Sequence, residues 1–76
     1  MKKPKLLGRI RYVEDWMDRG EYFVFETRWE DEEDWGLDTA YPLKDDKLSW
    51  RALYKACEWK ELGIDFFYGE PILKEG

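Results

Sequence analysis

Apolar and polar residues alternate through LLGRIRYVEDW, Leu6 to Trp16, and again through EYFVFETRWE, Glu21 to Glu30. A period of two marks half-buried strands, and the second segment is rich in the aromatic and β-branched residues that pleated surfaces favour. Between them MDRG supplies turn chemistry, with Gly20 free to take a positive φ. The pattern predicts an N-terminal β-hairpin. With Met17 opposite Gly20, Ile10, Tyr12 and Trp16 share one face with Phe23, Phe25 and Trp29. Arg9, Arg11 and Val13 share the other with Tyr22, Val24, Glu26 and Arg28. This register sets Arg11 across from Glu26 and Gly8 across from Trp29. A slip by one residue would bring Asp15 and the arginines onto the phenylalanine face, which burial forbids.

Beyond the hairpin, residues 30–36 read as a loop and LDTAYPL as a short third strand ended by Pro42. DDKLSWRALYKACEWKELG is the one segment with convincing helical periodicity. Asp45, Asp46 or Ser49 suits its N-cap, Lys60 its last turn and Gly63 its C′ position. At 100° per residue Leu48, Trp50, Ala52, Leu53, Ala56, Cys57 and Trp59 sweep one broad side, expected to pack on the sheet. IDFFYGEPIL then reads as a final strand, Ile64, Phe66 and Tyr68 inward, with Pro71 placing its end at a sheet edge. The predicted fold is α+β, in the order ββ(β)αβ. It is a small antiparallel sheet, made of the hairpin and one or two further strands, with a single helix on one face. Residues 1–76 form one domain, with residues 1–5 and 74–76 expected to fray.

A domain this short buries only about 60% of its unfolded surface, so its core must be dense. Fourteen aromatic residues are available for it. The polar residues are unusual: Asn, Gln and His are absent, and Lys, Arg, Asp and Glu make up 41% of the chain. Many charges with few thermolabile amides is the composition of heat-adapted proteins. No stretch is long enough to span a membrane, and no basic-then-apolar leader is seen. A cytoplasmic protein with no membrane partner is the expectation. The single Cys57 reads as a buried structural thiol, the alternative being an intermolecular disulfide.

Charge is segregated along the chain. Residues 1–13 carry five basic and no acidic groups, whereas residues 14–46 carry thirteen acidic and three basic ones; the whole has a net charge of −5. Five consecutive carboxylates, Glu30, Asp31, Glu32, Glu33 and Asp34, lie between Trp29 and Trp35. They lack the alternate spacing and central glycine of a calcium loop, so no metal or other cofactor is expected. One reading makes the run a hydrated loop between two core anchors. The other makes it a docking surface for a basic protein partner. Without His, nucleophilic chemistry would rest on Ser49, Thr27, Thr39 or Cys57, and none stands near an activating base in a recognisable pattern.

The expectation is therefore a non-enzymatic, acidic, macromolecule-binding protein. It would be an inhibitor or adaptor from a heat-loving organism or its mobile elements. Candidate partner-binding residues are Glu30 to Asp34, Trp35, and Tyr22 and Phe67 on the sheet face away from the helix. Two alternatives stand beside this. Arg9, Arg11 and Arg28 with Tyr22 form a basic, aromatic face of the kind that binds single-stranded nucleic acid. An apolar strip of Val13, Val24, Tyr22 and Phe67 on that face would instead make a homodimer, since no second helix is available to cover it.

Overall fold

The computed structural model describes residues 3–44 and 46–74, with the side chains of residues 46–49 excluded. Capping at the helix start by Asp45, Asp46 or Ser49 lies outside the described residues and side chains, as do residues 1–2 and 75–76 of the expected frayed ends. The chain runs β1 (Leu6–Val13), β2 (Tyr22–Trp29), β3 (Gly36–Pro42), α1 (Asp46–Glu61) and β4 (Asp65–Tyr68). These form one four-stranded sheet in the order β3-β2-β1-β4. The α+β arrangement read from the pattern is present. β4 joins β1 in parallel, so the sheet is mixed. β3 and β4 point the same way because a single helix returns the chain between them, and parallel strands require such a crossover.

The faces of the hairpin are as the alternation predicts, but its register differs by two residues. Arg9, not Arg11, stands opposite Glu26, and Gly8 stands opposite Thr27. A shift of two leaves every side chain on its face, which is why burial cannot distinguish the registers. The turn does. Met17 and Asp18 both have positive φ, at 50° and 61°, and Arg19 N–H donates to the Trp16 carbonyl at 2.9 Å. These are the φ signs of a type I′ turn centred on Met17-Asp18. Gly20 follows at φ 98°, and its carbonyl accepts the Trp16 N–H at 2.8 Å, adding a bulge that lengthens the connection.

α1 covers the face of Ile10 and Phe25. Those two residues, Ala52 and Trp59 are its buried centre, with Phe23, Tyr41, Ala56, Ile64 and Phe66 packed around them. The Trp59 ring meets Phe25 at 5.1 Å and Phe66 at 5.8 Å, both edge-on, the geometry aromatic quadrupoles prefer. Trp59, rather than Trp29, covers Gly8. A Cβ there would stand 2.6 Å from Trp59 Cζ3 and 2.9 Å from Phe66 Cβ, so only glycine admits the ring. The helix ends as Gly63 predicts. With φ 75°, its N–H donates to the Lys60 carbonyl while Ile64 N–H reaches the Trp59 carbonyl at 3.0 Å. This is a Schellman cap, and its usual apolar contact between Ile64 and Trp59 is part of the core.

The helix buries a narrower stripe than the pattern predicts. Ala52 and Trp59 are inside, but Trp50, Leu53 and Cys57 are exposed. The expected buried thiol is therefore corrected. Trp50 and Ala52 stand about 160° apart on the wheel, more than one flat sheet can cover. Tyr68, expected inward, is largely exposed as well, because β4 is an edge strand at its last position. Past Pro71, which has no N–H to give, the chain still follows β1. Ile72 N–H donates to the Tyr12 carbonyl, and Glu14 N–H to that of Ile72, each at 2.9 Å.

Candidate functional site

The second face of the sheet has no helix, yet its centre is closed. Val24 is wholly buried and Val13 nearly so, which corrects the expected open apolar strip of Val13, Val24, Tyr22 and Phe67. At its centre Glu26 receives two arginines from β1. Arg9 Nε donates to Oε1 at 3.1 Å and Arg11 Nη2 to Oε2 at 3.0 Å. Arg11 Nε also lies 2.8 Å from Oε1 but without hydrogen-bond alignment, so that contact is Coulombic. Glu26 is only 9% exposed. A buried carboxylate is costly unless paired, and here two guanidiniums hold it.

Trp35 comes from the loop between β2 and β3 and lies over this cluster. The Arg9 guanidinium is 4.4 Å from its ring centroid and that of Arg28 is 5.0 Å, both within cation–π range. Phe67 of β4 meets the same ring edge-on at 5.8 Å. One loop residue thus bridges β1, β2 and β4. Gly69 completes the closure: a Cβ there would stand 2.9 Å from Arg11 Cγ and 3.0 Å from Arg9 Cδ.

Arg28 also shapes the acidic loop. Its Nη1 donates to the carbonyls of Glu32 at 2.6 Å, Trp29 at 3.3 Å and Glu30 at 3.4 Å. Glu32 accepts the Trp29 N–H on its carboxylate at 2.9 Å, and Glu30 N–H reaches the Lys5 carbonyl at 2.8 Å. The backbone is therefore turned back on itself, with its carbonyls held by one cation. All five side chains from Glu30 to Asp34 are exposed. Among the described residues, none of the five carboxylates lies within 4 Å of a basic side chain. The two tryptophans differ from the two-anchor expectation. Trp29 is 48% exposed beside Asp31 and the N-terminal Lys3 and Pro4, whereas Trp35 anchors on the outer face instead of the helix-side core.

The structure therefore joins the acidic run, Trp35 and Phe67 into one region. Tyr22 is not part of it; it lies four strand positions from Glu26, roughly 13 Å along β2. Of the basic set, Arg9 and Arg11 are committed to Glu26, and Arg28 to the loop carbonyls and Trp35. Glu26 as the hub of the outer face was visible only as a cross-strand partner in the sequence. That Trp35 folds back was expected of an anchor, but that it lands on the outer-face arginines and Phe67 was not visible, since a loop carries no periodicity. At the far end of the hairpin, Tyr12 Oη donates to Glu21 Oε2 at 2.6 Å, and this bond pushes the phenol up to about 12.

Among the described residues, no three acidic or thiol groups converge closely enough to hold a metal ion, and no helix is long and apolar enough to cross a membrane. No family model matches the chain, and no curated protein or solved structure matches it.

Proposed function

We propose that this domain is a non-enzymatic binding protein whose acidic loop, with Trp29 beside it, docks on a basic surface of a protein partner. The observation that carries the reading is the loop itself. Five exposed carboxylates have no cation of the described chain against them, while Arg28 holds their backbone in one shape. A pre-shaped anionic surface attracts cationic partners over long range and loses little freedom on binding. Trp29 adds what charge alone lacks: a half-exposed aromatic of the type that anchors interfaces. Binding of single-stranded nucleic acid draws less support, because the three arginines it requires are already engaged within the outer face.

A charge-neutral substitution separates docking from simple counterion attraction. An arginine-rich peptide serves as probe, titrated at low and moderate salt and compared with a single-stranded oligonucleotide. Serine at positions 30–34 is expected to abolish peptide binding. Trp29→Ala leaves the charge intact and is expected to weaken it about five- to tenfold, as loss of an anchor worth somewhat over 1 kcal/mol does. Peptide binding that ignores Trp29, or a preference of the unaltered protein for the oligonucleotide, would sink the reading.

A further inference from the structure

A second surface is unrelated to the acidic loop. Trp50, Leu53, Tyr54 and Cys57 recur at i, i+3, i+4 and i+7, so they form one stripe along α1. The stripe lies opposite the buried Ala52 and Trp59. Trp50 is 61% exposed, Leu53 59% and Tyr54 71%, and Tyr68 of β4 is 75% exposed. Leu53 and Tyr68 also line a cleft of about 100 Å³ between helix and sheet, whose floor is Ile10, Phe25 and Ala52. The surface thus presents an apolar ridge and, beside it, an apolar notch.

We infer that this face pairs with a second copy of the chain, α1 against α1 in antiparallel orientation about a two-fold axis. Area is the first argument. Whole aromatic side chains bury roughly 150–250 Å² each. At the exposures above, the stripe with Tyr68 offers about 550 Å², near the top of what a monomer leaves open. Two copies would bury roughly 1,100 Å², just past the ~1,000 Å² that a specific interface must clear. Shape is the second. A two-fold interface needs one patch that complements itself, and a ridge flanked by a notch satisfies that when each ridge enters the other notch.

Charge is the third argument and sets the orientation. Arg51 and Glu58 flank the stripe on the same side, about 100° and 80° from Trp50, two helical turns apart. An antiparallel pair sets each Arg51 near Glu58 of the partner subunit, whereas a parallel pair puts the two copies of this flank on opposite sides of the seam, where neither group meets its opposite charge. Antiparallel packing also opposes the helix dipoles favourably. From Asp46 to Glu61 four basic groups face three acidic ones, so this surface lacks the single-sign field that would select a strongly charged foreign partner.

Sedimentation of the full chain between about 1 and 300 µM tests the inference, since an interface of this size is expected to hold with micromolar affinity. Expected is a rise from the 9.3 kDa chain mass to twice that value, with the Cys57 thiol reacting more slowly as the dimer fills. Trp50→Glu with Tyr54→Glu changes two exposed residues and is expected to leave a folded monomer by circular dichroism at every concentration. Glu58→Arg tests the orientation, and since it also breaks the 3.8 Å pair of Glu58 with Lys55 on the same helix, the rescue by a second change decides it. Glu58→Arg should weaken the dimer at least tenfold, and Arg51→Glu in the same chain should restore it. A wild-type monomer at the highest concentration, or a dimer indifferent to all these changes, would overturn the inference.

Discussion

Tyr12 donates its phenolic proton to a carboxylate of Glu21, and Glu14 adds further negative charge nearby. Both disfavour the phenolate, the hydrogen bond most, so the group ionises only near pH 12 instead of 10. The sign for stability follows from linkage. The unfolded chain releases this proton near pH 10 and the folded one near pH 12. The stabilisation is thus fully present below pH 10 and is lost as pH rises through 12. An ultraviolet tyrosinate titration of the folded protein should show a late component that Tyr12→Phe removes. If all five tyrosines ionise in a single early step, the Tyr12–Glu21 bond does not persist in solution.

At the scale of elements, the hairpin shows what alternation determines and what it leaves open. Period two assigns Ile10 with Phe25, and Arg9 with Glu26, to their faces whichever even register is chosen. Register is decided in the turn, where Asp18 and Gly20 announce positive φ but Met17 does not. Met17 takes a left-handed conformation that costs an L-residue about 1–2 kcal/mol, and it is 73% exposed, so little packing repays it. Met17→Asn is accordingly expected to stabilise the fold by about 0.5–1 kcal/mol, raising the midpoint of a thermal melt by several degrees. An unchanged or lowered midpoint would mean that the turn is not type I′ in solution. The helix carries the complementary lesson. Its C-terminus was legible because Gly63 and Ile64 perform local chemistry with Lys60 and Trp59. Its buried stripe was not, because the apolar positions of α1 span more of the wheel than one sheet covers. The surplus, Trp50, Leu53 and Tyr54, is what remains outside.

The whole molecule is a slab of 47 × 27 × 15 Å, with a helix on one face and only side chains to close the other. Alternation placed Arg9, Arg11 and Glu26 together on that second face. It could not bring Trp35 to them, because the arrival of a loop depends on tertiary contacts alone. The outer face is therefore held by convergence: β1 contributes Arg9 and Arg11, β2 Glu26 and Arg28, the loop Trp35, and β4 Phe67. Arg9 is the shared member, paired with Glu26 and lying over Trp35. Glu26→Gln should cost about 2–4 kcal/mol, below a fully buried pair because both arginines keep some contact with water. Trp35→Ala should cost about 2 kcal/mol through two guanidinium contacts and one aromatic pair. Once Glu26 is neutral, Arg9 is no longer held against the ring. The double variant should then lose at least about 0.5 kcal/mol less than the two singles combined. Urea unfolding of the four proteins at one fixed concentration measures this, with dilution keeping self-association out of the comparison. Strict additivity would mean that loop and ion cluster close the face independently. Coupling would make the acidic loop part of the fold, its shape set by the same contacts that hold β1, β2 and β4 together.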